Sequence, residues 1–103
     1  MRATQGNDNV FLDCGFPASE AENLRLRAKM MIALTRYIEN KGLSQAKAAT
    51  IMGVSQPRVS SLVRGKIGLF TIDALVNMLT AVGLVVDLEI KQTAAKQRSR
   101  RAA

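Results

Sequence analysis

The 103-residue chain has no histidine and no tryptophan, a single cysteine, two prolines, one tyrosine and three phenylalanines. Without histidine the chain lacks the commonest general base near neutral pH and the commonest metal ligand. With only one cysteine as well, no Ser-His-Asp, Cys-His or zinc constellation can be assembled. No glycine-rich phosphate loop is present and the carboxylates are scattered. A catalytic role, a metal site and a cofactor are therefore not expected. The lone Cys14 cannot close an internal disulfide, which suits a reducing compartment, and it reads as a small buried apolar side chain. No apolar run approaches the ~20 residues of a membrane span, and the start of the chain has no signal-peptide character. A cytoplasmic protein with no membrane partner is expected. Scarce aromatics leave the core to Leu, Ile, Val, Met and Ala, which favours packed helices, and the length suits one modest core.

What the chain has in excess is positive charge. The formal net charge is +7 and the isoelectric point about 10.4, against 48% hydrophobic residues. That balance is the footprint of a folded domain that binds a polyanion. The charge is also segregated. Residues 44–66 carry Lys47, Arg58, Arg64 and Lys66 with no Asp or Glu, and residues 91–103 carry Lys91, Lys96, Arg98, Arg100 and Arg101, again with none. Residues 67–90 hold Asp73, Asp87 and Glu89 and no base.

Hydrophobic periodicity divides the chain. "NVFLD", Asn9 to Asp13, is a short apolar run that reads as a small strand or a hydrophobic arm. Ser19 with Glu22 fits a capping box opening one long helix to Lys41, with Leu24, Ala28, Met31, Leu34 and Ile38 on its apolar side and Gly42 as its stop. Ser44 caps a second, alanine-rich helix that ends at Gly53. Ser55 restarts a third, with Pro57 in its first turn, where the missing N–H costs little, and Gly65 closes it. Thr71 caps the last helix, which runs to Gly83, with Asp73 at its positive end. "LVVDLEI" then changes period: Leu84, Val86, Leu88 and Ile90 alternate with Asp87 and Glu89, which predicts a strand.

Two short helices joined by "MGVS" form a helix-turn-helix. Stepping about 100° per residue, Val59, Leu62 and Val63 fall on the inner side of the third helix, while Pro57, Ser61 and Arg64 lie nearly opposite, flanked by Gln56, Arg58 and Ser60. A major groove admits one helix, with Arg suited to guanine and Gln to adenine, and acids on that side would repel phosphates. Gln56, Arg58 and Ser61 are the expected base contacts. Ser44, Gln45, Ser60, Arg64 and Lys66 are expected at the DNA backbone. A polar, acid-free side is also what a merely solvated helix could show, so a protein-interaction module with only general nucleic-acid affinity is the alternative.

The stretch "LSQAKAATIMGVSQPRVSSLVRGK" resembles the lambda-repressor-like, XRE-type helix-turn-helix. With its flanks "NVFLDCGFPASEAENLRLRAKMMIALTRYIENKGL" and "KIGLFTIDALVNMLTAVGLVVDLEI" it is most similar to the HigA-like antitoxins of bacterial toxin–antitoxin operons. The resemblance implies an all-α domain of about four helices with a short C-terminal β-strand. It also implies a homodimer on a palindromic operator that represses its own operon, and a partner toxin resembling the RelE ribosome-dependent mRNA endonucleases. By motif position, Gln45, Gln56, Arg58 and Ser61 would touch DNA. Pro57 departs from relatives that carry a donor there, and offers only apolar contact. A solitary XRE-family or phage-type repressor would share the motif.

The expected organisation is an N-terminal arm over 1–18, a helical DNA-binding domain over 19–83 with its helix-turn-helix at 44–65, a strand over 84–91 and a disordered basic tail over 92–103. A lone strand is unstable, so Leu84, Val86, Leu88 and Ile90 are expected to serve dimerisation, which would set two recognition helices ~34 Å apart on two half-sites.

Overall fold

The structure, a computed structural model, describes residues 9–92. The described residues form five α-helices and one short 3₁₀ turn: α1 (Val10–Asp13), α2 (Ala18–Lys41), α3 (Gln45–Met52), α4 (Gln56–Val63), the turn Ile67–Leu69, and α5 (Ile72–Ala81). Local chemistry sets these limits. Ser44, Ser55 and Thr71 each accept a backbone N–H three residues on, from Lys47, Arg58 and Ala74, at 3.1, 3.3 and 3.1 Å, so one orphan donor of each helix start is satisfied. The far ends of α2 to α5 share one closure. The residue after the closing glycine donates to a carbonyl five back: Leu43 to Ile38, Val54 to Ala49, Lys66 to Ser61 and Leu84 to Leu79, at 2.9–3.0 Å. This is the pattern in which a left-handed residue lets the chain turn sharply off a helix.

The long helix α2 is the spine. Its buried residues Leu24, Met31, Leu34 and Ile38 follow helical spacing, and α1, α4, the 3₁₀ turn and α5 all pack on it. Ala48 and Ala49 on α3 bring that helix close to its neighbours, and Met52, Val59, Leu62, Phe70, Leu75, Met78 and Leu79 fill the remaining space. The largest side chain sealed in the core is Phe70, 1% exposed. The core is otherwise aliphatic, as the scarcity of aromatics requires.

Several expectations are corrected. Asn9–Asp13 is neither strand nor arm but the start of a one-turn helix: the Asn9 side chain accepts the Phe11 N–H at 3.0 Å and is itself buried, and the Phe11 and Phe16 rings meet edge to face at 6.2 Å. The Ser19–Glu22 capping box does not form. Pro17 holds the cap position, which places Ser19 inside α2, and Glu22 instead accepts from Arg25 at 3.1 Å. Cys14 is exposed, because it sits on the turn after α1. The C-terminal strand is absent among the described residues. Leu84 to Ile90 has the alternation of a strand, but among the described residues no second strand lies beside it to pair with its backbone. The expected disordered tail lies almost wholly outside the described residues.

Candidate nucleic-acid interface

The site begins with a turn. Gly53 takes φ 71° and ψ 33° at the end of α3, a left-handed geometry that a side chain disfavours. Val54 then turns inward against the core, and Ser55 caps α4 two residues after the glycine. Four residues therefore reverse the chain and fix the angle between α3 and α4. Pro57 lies in the first turn of α4, where its locked φ suits a helix and no hydrogen bond is forfeited.

The inner side of α4 seats the helix on the core. Val59 and Leu62 are buried at 0% and 1% exposure, and Val63 packs at the edge. The opposite side is open. Gln56, Pro57 and Arg64 are exposed, and Ser60 and Ser61 are half-buried between them. At the rims, Ser44, Lys47 and Lys66 are exposed and Gln45 is half-buried at the first turn of α3. Among the described residues no carboxylate pairs with Lys47, Arg58, Arg64 or Lys66. The surface is thus a polar helix side with small residues at its centre and uncompensated cations around it.

Arg58 lies on the flank of α4. It is half-buried, its Nη1 donates to the Leu69 carbonyl at 3.0 Å, and its guanidinium carbon stands 4.5 Å from the centre of the Phe70 ring. At about 100° per residue it falls roughly 110° from the mid-line of the outer side between Pro57 and Arg64, so it leans along the flank of α4 toward the α4–α5 connection. A second arginine serves the same connection: Arg27 Nη1 donates to the carbonyls of Ile67 and Phe70, both at 3.1 Å, and its Nε to Asn23 Oδ1 at 2.6 Å. Neither Arg27 nor Phe70 stands out as a functional residue in the sequence. At the same step Gln56 falls about 90° to the other side of the mid-line between Pro57 and Arg64, so angle alone does not separate it from Arg58.

The expected dimerisation residues divide into two pairs. Leu84 is half-buried against the core, and with Val85 and Val86 it borders a groove of Lys29, Met30, Ala33 and Leu79. Leu88 and Ile90 are 80% and 85% exposed, and Val85 is 88% exposed. Among the described residues no three His, Cys, Asp or Glu side chains gather as a metal site, and no helix is long and apolar enough to cross a membrane.

A capped helix, a left-handed glycine and a second capped helix with an open, acid-free outer side define a helix-turn-helix protein. The chain belongs to the helix-turn-helix domain family, whose model matches residues 10–91. A solved structure described as a candidate XRE family transcriptional regulator superposes with a TM-score of 0.67 at 32% identity, over 73% of this chain and 84% of that one. The helix-turn-helix is accordingly of the XRE type. Among curated proteins none matches.

Proposed function

We propose that the protein is a sequence-specific DNA-binding transcriptional regulator that acts as a homodimer and represses its own operon as the antitoxin of a HigBA-type pair. The helix-turn-helix family and the XRE-regulator likeness support DNA-binding transcriptional regulation. The observation that carries the DNA reading is the outer side of α4, which is open, acid-free and small enough at Ser60 and Ser61 for close backbone approach. Gln56 sits at its N-terminal end, the part of a recognition helix that reaches base edges, and a Gln pairs bidentately with adenine. Ser61 approaches the same bases. Ser44, Gln45, Ser60, Arg64 and Lys66 ring them and take the phosphates.

The dimer reading rests on Val85, Leu88 and Ile90, three large apolar side chains open to water on a segment with unpaired backbone. A second copy supplies both apolar cover and a strand partner. The antitoxin role and the RelE-like toxin partner rest on the resemblance of the sequence to HigA-like antitoxins.

The DNA reading is tested by mobility shift on the promoter of the protein's own gene against a scrambled duplex of equal length. Preference for the promoter supports it, and equal retention of both leaves a protein-interaction module with general nucleic-acid affinity. The antitoxin role is tested by co-expression with the product of the adjacent gene. Growth arrest by that product, relieved on co-expression, supports the role. A harmless product that does not co-purify leaves a solitary regulator.

A further inference from the structure

We infer that Arg58 is a positioning residue that fixes the roll of the recognition helix α4, and not a reader of bases. The inference rests on the DNA-binding reading and assigns a part within it. Helix α4 is eight residues long, two turns, too short to hold its own geometry without tertiary contacts. Its inner side offers only Val59 and Leu62 as fully buried anchors. Two apolar side chains locate a helix but restrain its rotation weakly, because apolar contact has no preferred direction. A recognition surface needs its side chains held to within roughly 10–20°. Arg58 supplies the directional restraint.

The geometry has three parts. The Phe70 ring is 1% exposed and locked in the core, so it is a rigid platform. The Arg58 guanidinium stands over that ring at 4.5 Å, the distance at which a planar cation is held by the ring quadrupole. Its Nη1 bonds the Leu69 carbonyl at 3.0 Å, which fixes the guanidinium in its own plane. The platform is also held by Arg27 on α2, which donates to the carbonyls of Ile67 and Phe70. The connection is thus gripped between the spine helix and the recognition helix, and α4 is referenced to α2 through it. Reaching a base edge would require Arg58 to leave both the ring and the carbonyl.

Planarity matters here, because an ammonium group cannot both stack and bond in a fixed plane. Arg58→Lys therefore keeps the charge and loses the restraint. The probe is the duplex that the wild-type chain selects from a randomised pool, compared with a scrambled duplex across a salt series. Arg58→Lys and Arg58→Ala are both expected to bind the selected duplex about ten- to a hundred-fold more weakly, the scale of a lost charged hydrogen bond. Preference should fall at all base pairs of a half-site together, with the salt slope unchanged. In the free protein, amide exchange at Leu69 and Phe70 should quicken in both variants.

A loss confined to one base pair would make Arg58 a base reader and overturn the inference. So would a uniform loss in which the salt slope falls by about 0.9 in Arg58→Ala and is restored in Arg58→Lys, the mark of a phosphate contact. Amide exchange unchanged in Arg58→Ala would overturn the restraint without reference to DNA. Wild-type protein that selects no duplex would instead remove the DNA-binding reading, and this part within it.

Discussion

Replacing Gly53 by alanine isolates the energetics of the turn. The residue sits at φ 71°, and a Cβ built there meets nothing within 4 Å. The whole folded-state penalty is then the intrinsic cost of a left-handed backbone, about 1–2 kcal/mol for a residue with a Cβ. Alanine also narrows the unfolded ensemble, which returns about 0.4–1 kcal/mol. The expected net loss is about 1 kcal/mol, or roughly 4–8 °C in melting temperature for a domain of this size. Gly53→Asn should lose less, because asparagine visits the left-handed region more readily. Urea unfolding followed by circular dichroism measures both, with equal slopes required for a valid comparison. A loss above about 3 kcal/mol would mean that the added methyl is blocked by something close by. No loss in Gly53→Ala, or a greater loss in Gly53→Asn, would mean that the turn does not hold the left-handed geometry on which the α3–α4 angle depends.

Three further outcomes are expected. Gln56→Ala should reduce discrimination at one adenine-bearing base pair by about 1–3 kcal/mol and leave scrambled DNA bound as before; a uniform loss on both would place Gln56 on phosphate. Leu88→Glu combined with Ile90→Glu should convert a dimer to a monomer in analytical ultracentrifugation while helical circular dichroism is kept, since both side chains are open to water in the single chain; an unchanged mass would put the dimer contact elsewhere. Deleting Lys96 to Ala103 should lower the salt slope of DNA binding if those cations meet phosphates, and an unaltered slope would leave them as a solvated charge run.

The limits of α3, α4 and α5 and the end of α2 were legible because each is chemical and local, whereas α1 was read as a strand or arm because four apolar-rich residues carry no helical period. Ser44, Ser55 and Thr71 each cap only the helix that starts at the next residue, and Gly42, Gly53, Gly65 and Gly83 each stand where the chain must leave a helix. The misses are of the opposite kind. The capping box at Ser19 was outcompeted by its neighbour Pro17, which occupies the cap position itself. Leu84 to Ile90 has a strand's alternation, but pattern specifies only which sides differ, and pairing needs a second strand, which the described residues do not provide. The same limit hides what Arg58 touches in the single chain. Its charge and its place in an acid-free stretch were visible, and both suggested DNA. Its tether was not visible, because Leu69 and Phe70 become its neighbours only after the connection folds back beneath α4.

The contacts of Arg58 also bear on how an acid-free stretch accommodates its own charge. Cations crowded on a small surface repel one another, and the usual remedy is an interleaved carboxylate. A carboxylate on the outer side of α4 would relieve that repulsion and also repel phosphates. Arg58 meets the constraint differently, since its charge is stabilised by a carbonyl dipole and a ring face in place of an acid. The connection therefore anchors the recognition helix without placing negative charge beside it. Lys47, Arg64 and Lys66 are left with no carboxylate partner among the described residues, so a bound polyanion would be the group that neutralises them.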